Sequence, residues 1–405
     1  MKKQFTATAV SLICIGSASA QSLFDLAPSN DDAEPLPLTW TAGAGLGYDD
    51  NAVPSATSAA GVDDESSMYG TAYVGASFLS RTPATTTEFF ARLGIVHYFD
   101  DIDVGALNID QSSATAGLGV NWTHRVSERL RFVSRNSLAY ELEPDYSEGF
   151  QASRSNGNYL RWSTDNAVGY RWSERLGTYT GLRYEDISYD DIDGFDRSII
   201  SFYNDFRYQL SPQTVATFTY RLSEVDGGRV SDSTNNYFLA GLEHRFSPTA
   251  VGTIKVGVQN RDVDGGDDTS NPYVEASLKN QINEQFSIRA YGRYGVEDYS
   301  RGVAGNIYEG SETLRLGLTG TYGVSEQLSL NAGVNYASLG YVDQIVGAAG
   351  EIDEENLNLF VGFRLQVAET MWVDGKYNFE TLTSDLGSNR EYDRNRISLG
   401  INAQF

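Results

Sequence analysis

The chain has 405 residues, 12% of them aromatic, with nine prolines and one cysteine, Cys14. This aromatic content argues against a disordered chain, and a single cysteine excludes a disulfide framework. The formal net charge of −24 at pH 7 argues against nucleic acid as a partner.

The first residues have the three parts of a secretory signal peptide. Two lysines follow the initial methionine, an apolar stretch covers about 7–16, and Ala-Ser-Ala at 18–20 is a cleavage motif. We therefore predict a signal peptide over 1–20, cleaved after Ala20, and a short periplasmic segment over 21–37. Because no later stretch is long and apolar enough for a transmembrane helix, an exported chain like this one could span a membrane only as a closed β-barrel.

The first predicted strand covers 38–49, where apolar and small residues alternate. Leu38, Trp40, Ala42, Ala44, Leu46 and Tyr48 share one face. A period of two places such a set on one side of a sheet.

A short turn motif then recurs along the chain, roughly 40 residues apart, which is typical of a repeated supersecondary unit. It has an apolar residue, then Ser, Asn or Ala, then in most copies Glu or Pro, residue types that favour tight turns. The copies begin at Val126, Trp172, Leu210, Phe246, Ile282, Val324 and Val367, with a looser copy at Leu79.

Strand-like stretches flank each short turn, and longer acidic, glycine-rich segments such as 188–196, 226–235, 261–271 and 341–355 join the pairs. Eight turns joining two strands each, with one strand before and one after, give about 18 strands. Short periplasmic turns that alternate with longer extracellular loops are typical of outer-membrane barrels. The sequence thus predicts an all-β fold, a transmembrane antiparallel β-barrel over 38–405.

The last predicted strand covers 392–405 and has Ile397, Leu399, Ile401 and Phe405 on one face. We expect it to pair with the first strand, which leaves no sheet edge in lipid. The alternatives are a secreted β-sandwich or a β-helix. The barrel is favoured because Arg and Glu recur within the strands, whereas a water-facing exterior more often uses Lys and Thr.

Together, the signal peptide, tandem hairpins and terminal phenylalanine resemble those of Gram-negative outer-membrane proteins. The segment 40–53 is similar to the opening of the putative β-barrel porin type 2 family, through Gly45, Tyr48, Asp49 and Asn51. The resemblance implies an outer-membrane location, contact with membrane lipid and lipopolysaccharide, and periplasmic polysaccharide-export components as partners. It also implies that the barrel-insertion machinery recognises Phe405 as an assembly signal. It brings no catalytic residues and no cofactor.

By parity, one set of basic residues is predicted to line the lumen. Its members are Arg131, Arg135, Arg161, Arg183, Arg207, Arg221, Arg245, Arg289, Arg293, Arg315 and Arg364. Such an arc would attract anionic solutes. The alternative is a ladder of arginine–carboxylate pairs that stiffens the wall.

The favoured function is a porin-like channel that passes hydrophilic solutes or an exported polysaccharide without chemistry. A structural or surface-binding barrel with a closed lumen is the second hypothesis. An outer-membrane enzyme is the least favoured, because no motif arranges a nucleophile with a base. The acidic loops resemble calcium-binding segments in composition, but EF-hand spacing is not met, so we predict no metal site.

Overall fold

The computed structural model describes residues 36–52, 66–100, 103–104, 107–108, 111–142, 158–190, 196–227, 231–266, 268–298, 307–346, 351–385 and 391–405. The predicted signal peptide and most of the segment 21–37 lie outside these residues. Among the described residues, no helix is long and apolar enough to cross a membrane.

The described chain forms one 18-stranded antiparallel sheet and one small hairpin. The first nine strands of the sheet are β1 (Leu36–Asp49), β2 (Ser67–Arg81), β3 (Thr85–Tyr98), β6 (Ser112–Arg125), β7 (Leu130–Glu141), β8 (Tyr159–Arg171), β9 (Leu176–Tyr189), β10 (Arg197–Ser211) and β11 (Thr214–Asp226). The other nine are β12 (Ser233–Ser247), β13 (Ala250–Val263), β14 (Thr269–Gln281), β15 (Phe286–Asp298), β16 (Ile307–Gly323), β17 (Leu328–Val346), β18 (Ile352–Ala368), β19 (Met371–Ser384) and β20 (Tyr392–Gln404). The short strands β4 (Asp103–Val104) and β5 (Leu107–Asn108) pair with each other outside the sheet.

The sheet closes on itself between its first and last strands. β1 pairs with β20 from Thr41↔Gln404 to Asp49↔Arg396. Beyond this ladder, Trp40 N–H donates to the Phe405 carbonyl at 2.9 Å, and Phe405 N–H donates to the Trp40 carbonyl at 3.0 Å. The predicted closed barrel of 18 strands is confirmed, and its sheet has no free edge.

The recurring motif forms the short turns, and its second residue explains why the chain reverses there. The Ser127 Oγ accepts the Leu130 N–H at 3.1 Å, and Ser173 and Ser325 do the same for Leu176 and Leu328. In the turn after β14 the Asn283 Oδ1 takes this role. A side-chain acceptor three residues before an N–H closes a turn locally.

Several strands extend further than the sequence predicted. The predicted loop 341–355 is largely taken up by the ends of β17 and β18, and β1 begins at Leu36 rather than at residue 38. Backbone ladders do not require an apolar face. The acidic outward residues Asp353 and Glu355 therefore stay in the sheet beyond the apolar part of β18.

The outer face carries the exposed apolar side chains. Examples are Leu46, Val74, Leu93, Leu182, Ile254, Leu318, Val361 and Leu399. Near the short turns the same face carries aromatic contacts, with Tyr170–Trp172 ring centroids 4.6 Å apart and His244–Phe246 centroids 4.7 Å apart. An apolar band edged by aromatic rings is the outer surface of a membrane barrel.

Candidate functional site in the barrel interior

The inner face is polar and rich in arginine and tyrosine. All eleven arginines of the predicted arc occupy strand positions that alternate with the exposed apolar residues, so they lie on this face. Their surroundings differ widely, from fully buried to exposed. These surroundings decide which of them are tied to the wall and which of them meet water.

The most deeply buried arginine of the arc is Arg207 on β10, which is 0% exposed. Its guanidinium donates to Asp205 at 3.0 Å and also pairs with Glu243 of β12. Thr219 on the strand between them donates its hydroxyl to Asp205 at 2.6 Å. This network joins three consecutive strands and leaves Arg207 no contact with water.

A second network lies on β8, β9 and β10. Arg183 pairs with Asp165 at 3.3 Å, and the Tyr203 hydroxyl donates to the same carboxylate at 2.8 Å. Arg161 and Glu185 make a further cross-strand pair at 3.5 Å.

On the neighbouring strand β7, the guanidinium of Arg131 stands 5.1 Å from the ring centroid of Tyr179. Arg135 is half-buried on the same strand.

Arg221 on β11 is held by aromatic rings. Its guanidinium carbon lies 3.8 Å from the ring centroid of Tyr237 and 5.3 Å from that of Tyr273. Cation–π contacts of this length are favourable, all the more where water is excluded. The Tyr273 hydroxyl donates to Glu275 at 3.0 Å, and Lys255 pairs with Glu275 at 3.5 Å.

Arg293 and Arg315 share one carboxylate. They are directly opposite each other on β15 and β16, and both guanidinium groups pair with Glu297. Arg315 donates from Nε at 2.9 Å and from a terminal nitrogen at 2.7 Å, and Arg293 is also paired with Glu297. The negative charge of Glu297 thus offsets the repulsion between the two positively charged arginines.

The sequence reasoning missed a charge cluster at the closing seam. Asp49 at the end of β1 accepts two hydrogen bonds from Arg394, at 3.0 and 2.6 Å, and lies 3.2 Å from Arg396. Arg394 and Asp49 are almost completely buried. Parity alone would place Arg394 and Arg396 inward, as for the predicted arginines, so the signal was present in the sequence.

Three more arginines of the predicted arc lie elsewhere on the inner face. Arg245 is half-buried near a short turn, and Arg364 stands 5.4 Å from the ring centroid of Trp372. Arg289 is exposed.

The exposed charged side chains on the described inner face of the strands are all positively charged. The exposed charged side chains there are Arg92, Arg125, Lys279, Arg289 and Lys376, all of them basic. The inward carboxylates of these strands, among them Glu88, Glu185 and Asp374, are buried or half-buried. The predicted arc contains only Arg289 of the five, because it begins at Arg131, after Arg92 and Arg125, and includes no lysines.

Two of these exposed bases are direct cross-strand partners. Lys279 of β14 is opposite Arg289 of β15 in the register of the ladder. Like charges directly opposite each other are destabilising.

The three histidines each hydrogen-bond a hydroxyl group on the facing strand. His124 and His244 lie on the outer face, where each hydrogen-bonds a cross-strand threonine, Thr85 at 2.8 Å and Thr214 at 2.9 Å. In the described part of the chain, no three or more His, Cys, Asp or Glu side chains come together to hold a metal ion.

Comparison with known sequences identifies the family of this barrel. The profile of the family described as "Putative beta-barrel porin 2" matches residues 109–405. The chain belongs to this family. A comparison with curated proteins finds no match. The family places the chain among the outer-membrane porins of Gram-negative bacteria.

Solved structures of outer-membrane porins are similar to this porin-family chain in fold. OccAB4 of Acinetobacter baumannii is 14% identical, with a TM-score of 0.48, 92% of this chain covered and 99% of that one. The outer-membrane protein OpdK of Pseudomonas aeruginosa is 10% identical, with a TM-score of 0.48 and coverages of 91% and 99%. A BenF-like porin of Pseudomonas fluorescens Pf-5 is 11% identical, with a TM-score of 0.47 and coverages of 91% and 98%.

The predicted assembly signal, Phe405, lies on the outer face at the turn-side end of the seam. The residue is 73% exposed, and its backbone is paired with Trp40. An aromatic ring at this position belongs to the interfacial girdle of a membrane barrel. Recognition of Phe405 by the barrel-insertion machinery stays a prediction.

Proposed function

We propose that this porin-family barrel is a diffusion channel that passes small hydrophilic solutes and prefers anions. The observation that carries the proposal is the sign of the exposed charge on the inner wall. Every exposed charged side chain on the described inner face of the strands is basic, and the arginines with carboxylate partners are buried or half-buried.

The size of the barrel supports a channel, since barrels of 16–18 strands can leave an aqueous lumen. Rings of basic side chains make pores selective for anions. The paired arginines add little to this preference, because a carboxylate within hydrogen-bonding distance compensates their charge. Lys279 and Arg289 have no such partner among the described residues, so their charge acts on the solute.

The test is the conductance of the refolded full-length mature chain in a planar lipid bilayer. Ion selectivity is taken from the reversal potential across a potassium chloride gradient. We expect open steps with anion preference for the wild type. The double variant Lys279→Gln with Arg289→Gln should form the same barrel but lose a clear part of that preference, since it removes two of the five exposed inward bases.

The matched control removes the same charge from two short turns, as Arg129→Gln with Arg175→Gln. Both arginines are exposed in the turns that precede β7 and β9. The control should keep the wild-type reversal potential. An equal shift in both double variants would mean that net charge, and not the wall position, sets selectivity.

A correctly folded, heat-modifiable barrel that gives no conductance steps would overturn the proposal in favour of a closed, structural or surface-binding barrel. Export of a polysaccharide and contact with periplasmic export components stay predictions. They rest on the family resemblance, and no contact within the described residues bears on them.

A further inference from the structure

Four polar side chains lie on the outer face of β7 and β8, on the side that faces lipid. They are Ser134, Asn136, Thr164 and Asn166, and they occupy the outward positions that alternate with the inward Arg135 and Asp165. Ser134 is opposite Asn166 in the ladder, and Asn136 is opposite Thr164. Asn166 is exposed, and the other three are half-exposed.

These four side chains form a closed ring of hydrogen bonds. Ser134 donates to the Asn166 Oδ1 at 2.7 Å, and the Asn166 Nδ2 donates to Thr164 at 2.8 Å. Thr164 donates to the Asn136 Oδ1 at 2.7 Å, and the Asn136 Nδ2 donates to Ser134 at 3.0 Å. Each amide thus uses one N–H and one acceptor site within the ring.

The ring lies at the depth of the hydrocarbon core. On β8, Trp162 lies on the loop side of it and Tyr170 on the turn side. Trp162 makes an edge contact with Tyr184, and Tyr170 makes one with Trp172. Trp162 and Tyr170 are eight positions apart, roughly 26 Å along the strand. With a strand tilt of about 40°, this is roughly 20 Å across the membrane, which lies within an apolar band of about 25 Å.

Polar residues continue from the ring onto the next two strands. Thr180 of β9 is opposite both Val168 of β8 and Asn204 of β10, and the Asn204 Nδ2 donates to the Thr180 Oγ1 at 3.1 Å. The amide patch is defined here as Ser134, Asn136, Thr164, Asn166, Thr180 and Asn204. It crosses four strands, a width of roughly 15 Å.

The far side of the barrel has no comparable patch among the described residues. At similar positions along their strands, β16 presents Leu316 and Leu318, and β18 presents Leu359 and Val361. The amide patch is therefore a local departure from an apolar surface.

Lipid cannot satisfy the remaining hydrogen-bonding groups of the patch. An asparagine side chain has two N–H donors, and the ring uses one from each amide. In the described part of the chain, the second N–H of Asn136 and of Asn166 has no partner. An unsatisfied polar group in the hydrocarbon core is costly, whereas a hydrogen bond to another embedded protein removes that cost.

We infer that the amide patch is the contact surface for a second copy of this chain in the membrane. Amides are both donors and acceptors, so the patch is complementary to itself. All copies are inserted in the same orientation, so a twofold axis along the membrane normal brings the two patches together at equal depth. A closed dimer with an isologous interface satisfies both requirements.

The first test measures the mass of the purified full-length mature barrel in detergent by multi-angle light scattering. The wild type is expected to have twice the mass of one chain. The double variant Asn136→Leu with Asn166→Leu should have the mass of one chain and keep its heat-modifiable mobility, because leucine suits a lipid-facing position. The matched control Asn236→Leu with Asn260→Leu removes two outward amides from β12 and β13 and should stay dimeric.

The second test works in native membranes and does not require the amides to change. Val168 lies on the outer face beside the patch, and its single substitution Val168→Cys should give a cross-linked homodimer with a short bis-maleimide. The same substitution at Val361, on the far side, should not. A monomeric wild type, an absence of cross-linking at Val168, or cross-linking there to a different protein would overturn the inference.

Discussion

The β14–β15 hairpin carries two charged pairs on its inner face, four residues apart, and they are built in opposite ways. Glu275 is opposite Arg293, in a region where Lys255, Tyr273 and Glu297 bind the same two side chains. Lys279 is opposite Arg289, and both side chains are exposed. Both pairs lie on the same two strands and on the same face. They differ only in the charge of the β14 residue, which is negative in Glu275 and positive in Lys279.

The difference separates charges that hold the wall from charges that face the solute. An opposite-charge pair supplied with further hydrogen bonds is fixed and compensated. A like-charge cross-strand pair weakens the sheet, so its presence needs a reason other than stability. The proposed attraction of anions into the lumen supplies that reason.

The largest expected effect comes from breaking the compensated region. In Glu297→Gln, the two guanidinium groups of Arg293 and Arg315 lose their shared carboxylate. Removing one partner from a buried ion pair costs roughly 3–5 kcal/mol. The free energy of unfolding is measured by denaturant titration of the barrel in lipid vesicles. The control Glu312→Gln, at an exposed outward position of β16, should cost much less. Equal losses would mean that the buried network is not stabilising.

An intermediate effect comes from placing charge on the other face of the wall. Val361→Arg puts a guanidinium into lipid near the middle of β18 and should cost roughly 2–4 kcal/mol. Asn331→Arg adds the same group on the inner face, opposite Gly362, which has no side chain. It should cost much less in the same titration. If the two variants lose equal stability, the inner face does not offer water to a charged group.

The smallest change in stability, and the sharpest change in function, comes from converting the like-charge pair Lys279–Arg289 into an opposite-charge pair. Lys279→Glu places a carboxylate opposite Arg289. Opposite-charge cross-strand pairs contribute roughly 0.2–1 kcal/mol, so the variant should be slightly more stable than the wild type. Its reversal potential should shift away from anion preference. A gain in stability with unchanged ion selectivity would mean that Lys279 and Arg289 do not set the anion preference of the channel.

Much of the architecture could be predicted because its rules are local. The turn motif identified eight reversals, and the period of two separated the faces of strands such as β15 and β20 without knowledge of any contact. The even strand count and the alternating final segment predicted the pairing of β20 with β1, which the structure confirms.

The charge environments could not be predicted, because they depend on register and on side-chain reach across strands. Glu297 compensates Arg315 from the adjacent strand, and Arg207 reaches Glu243 across β11, over 36 residues of sequence. Parity treats Arg207 and Arg289 alike, although one is fully buried and the other exposed.

The sequence by itself determined the number of strands, the positions of the short turns and the two faces of the wall. These follow from alternation and turn chemistry within a few residues. Only the tertiary structure decided which inward basic residues are paired with carboxylates and which are exposed to water. It alone also showed that four outward polar residues of β7 and β8 form one ring of hydrogen bonds. The physical reason is that hydrogen bonds and ion pairs form between strands, and their partners are set by the register of the closed sheet.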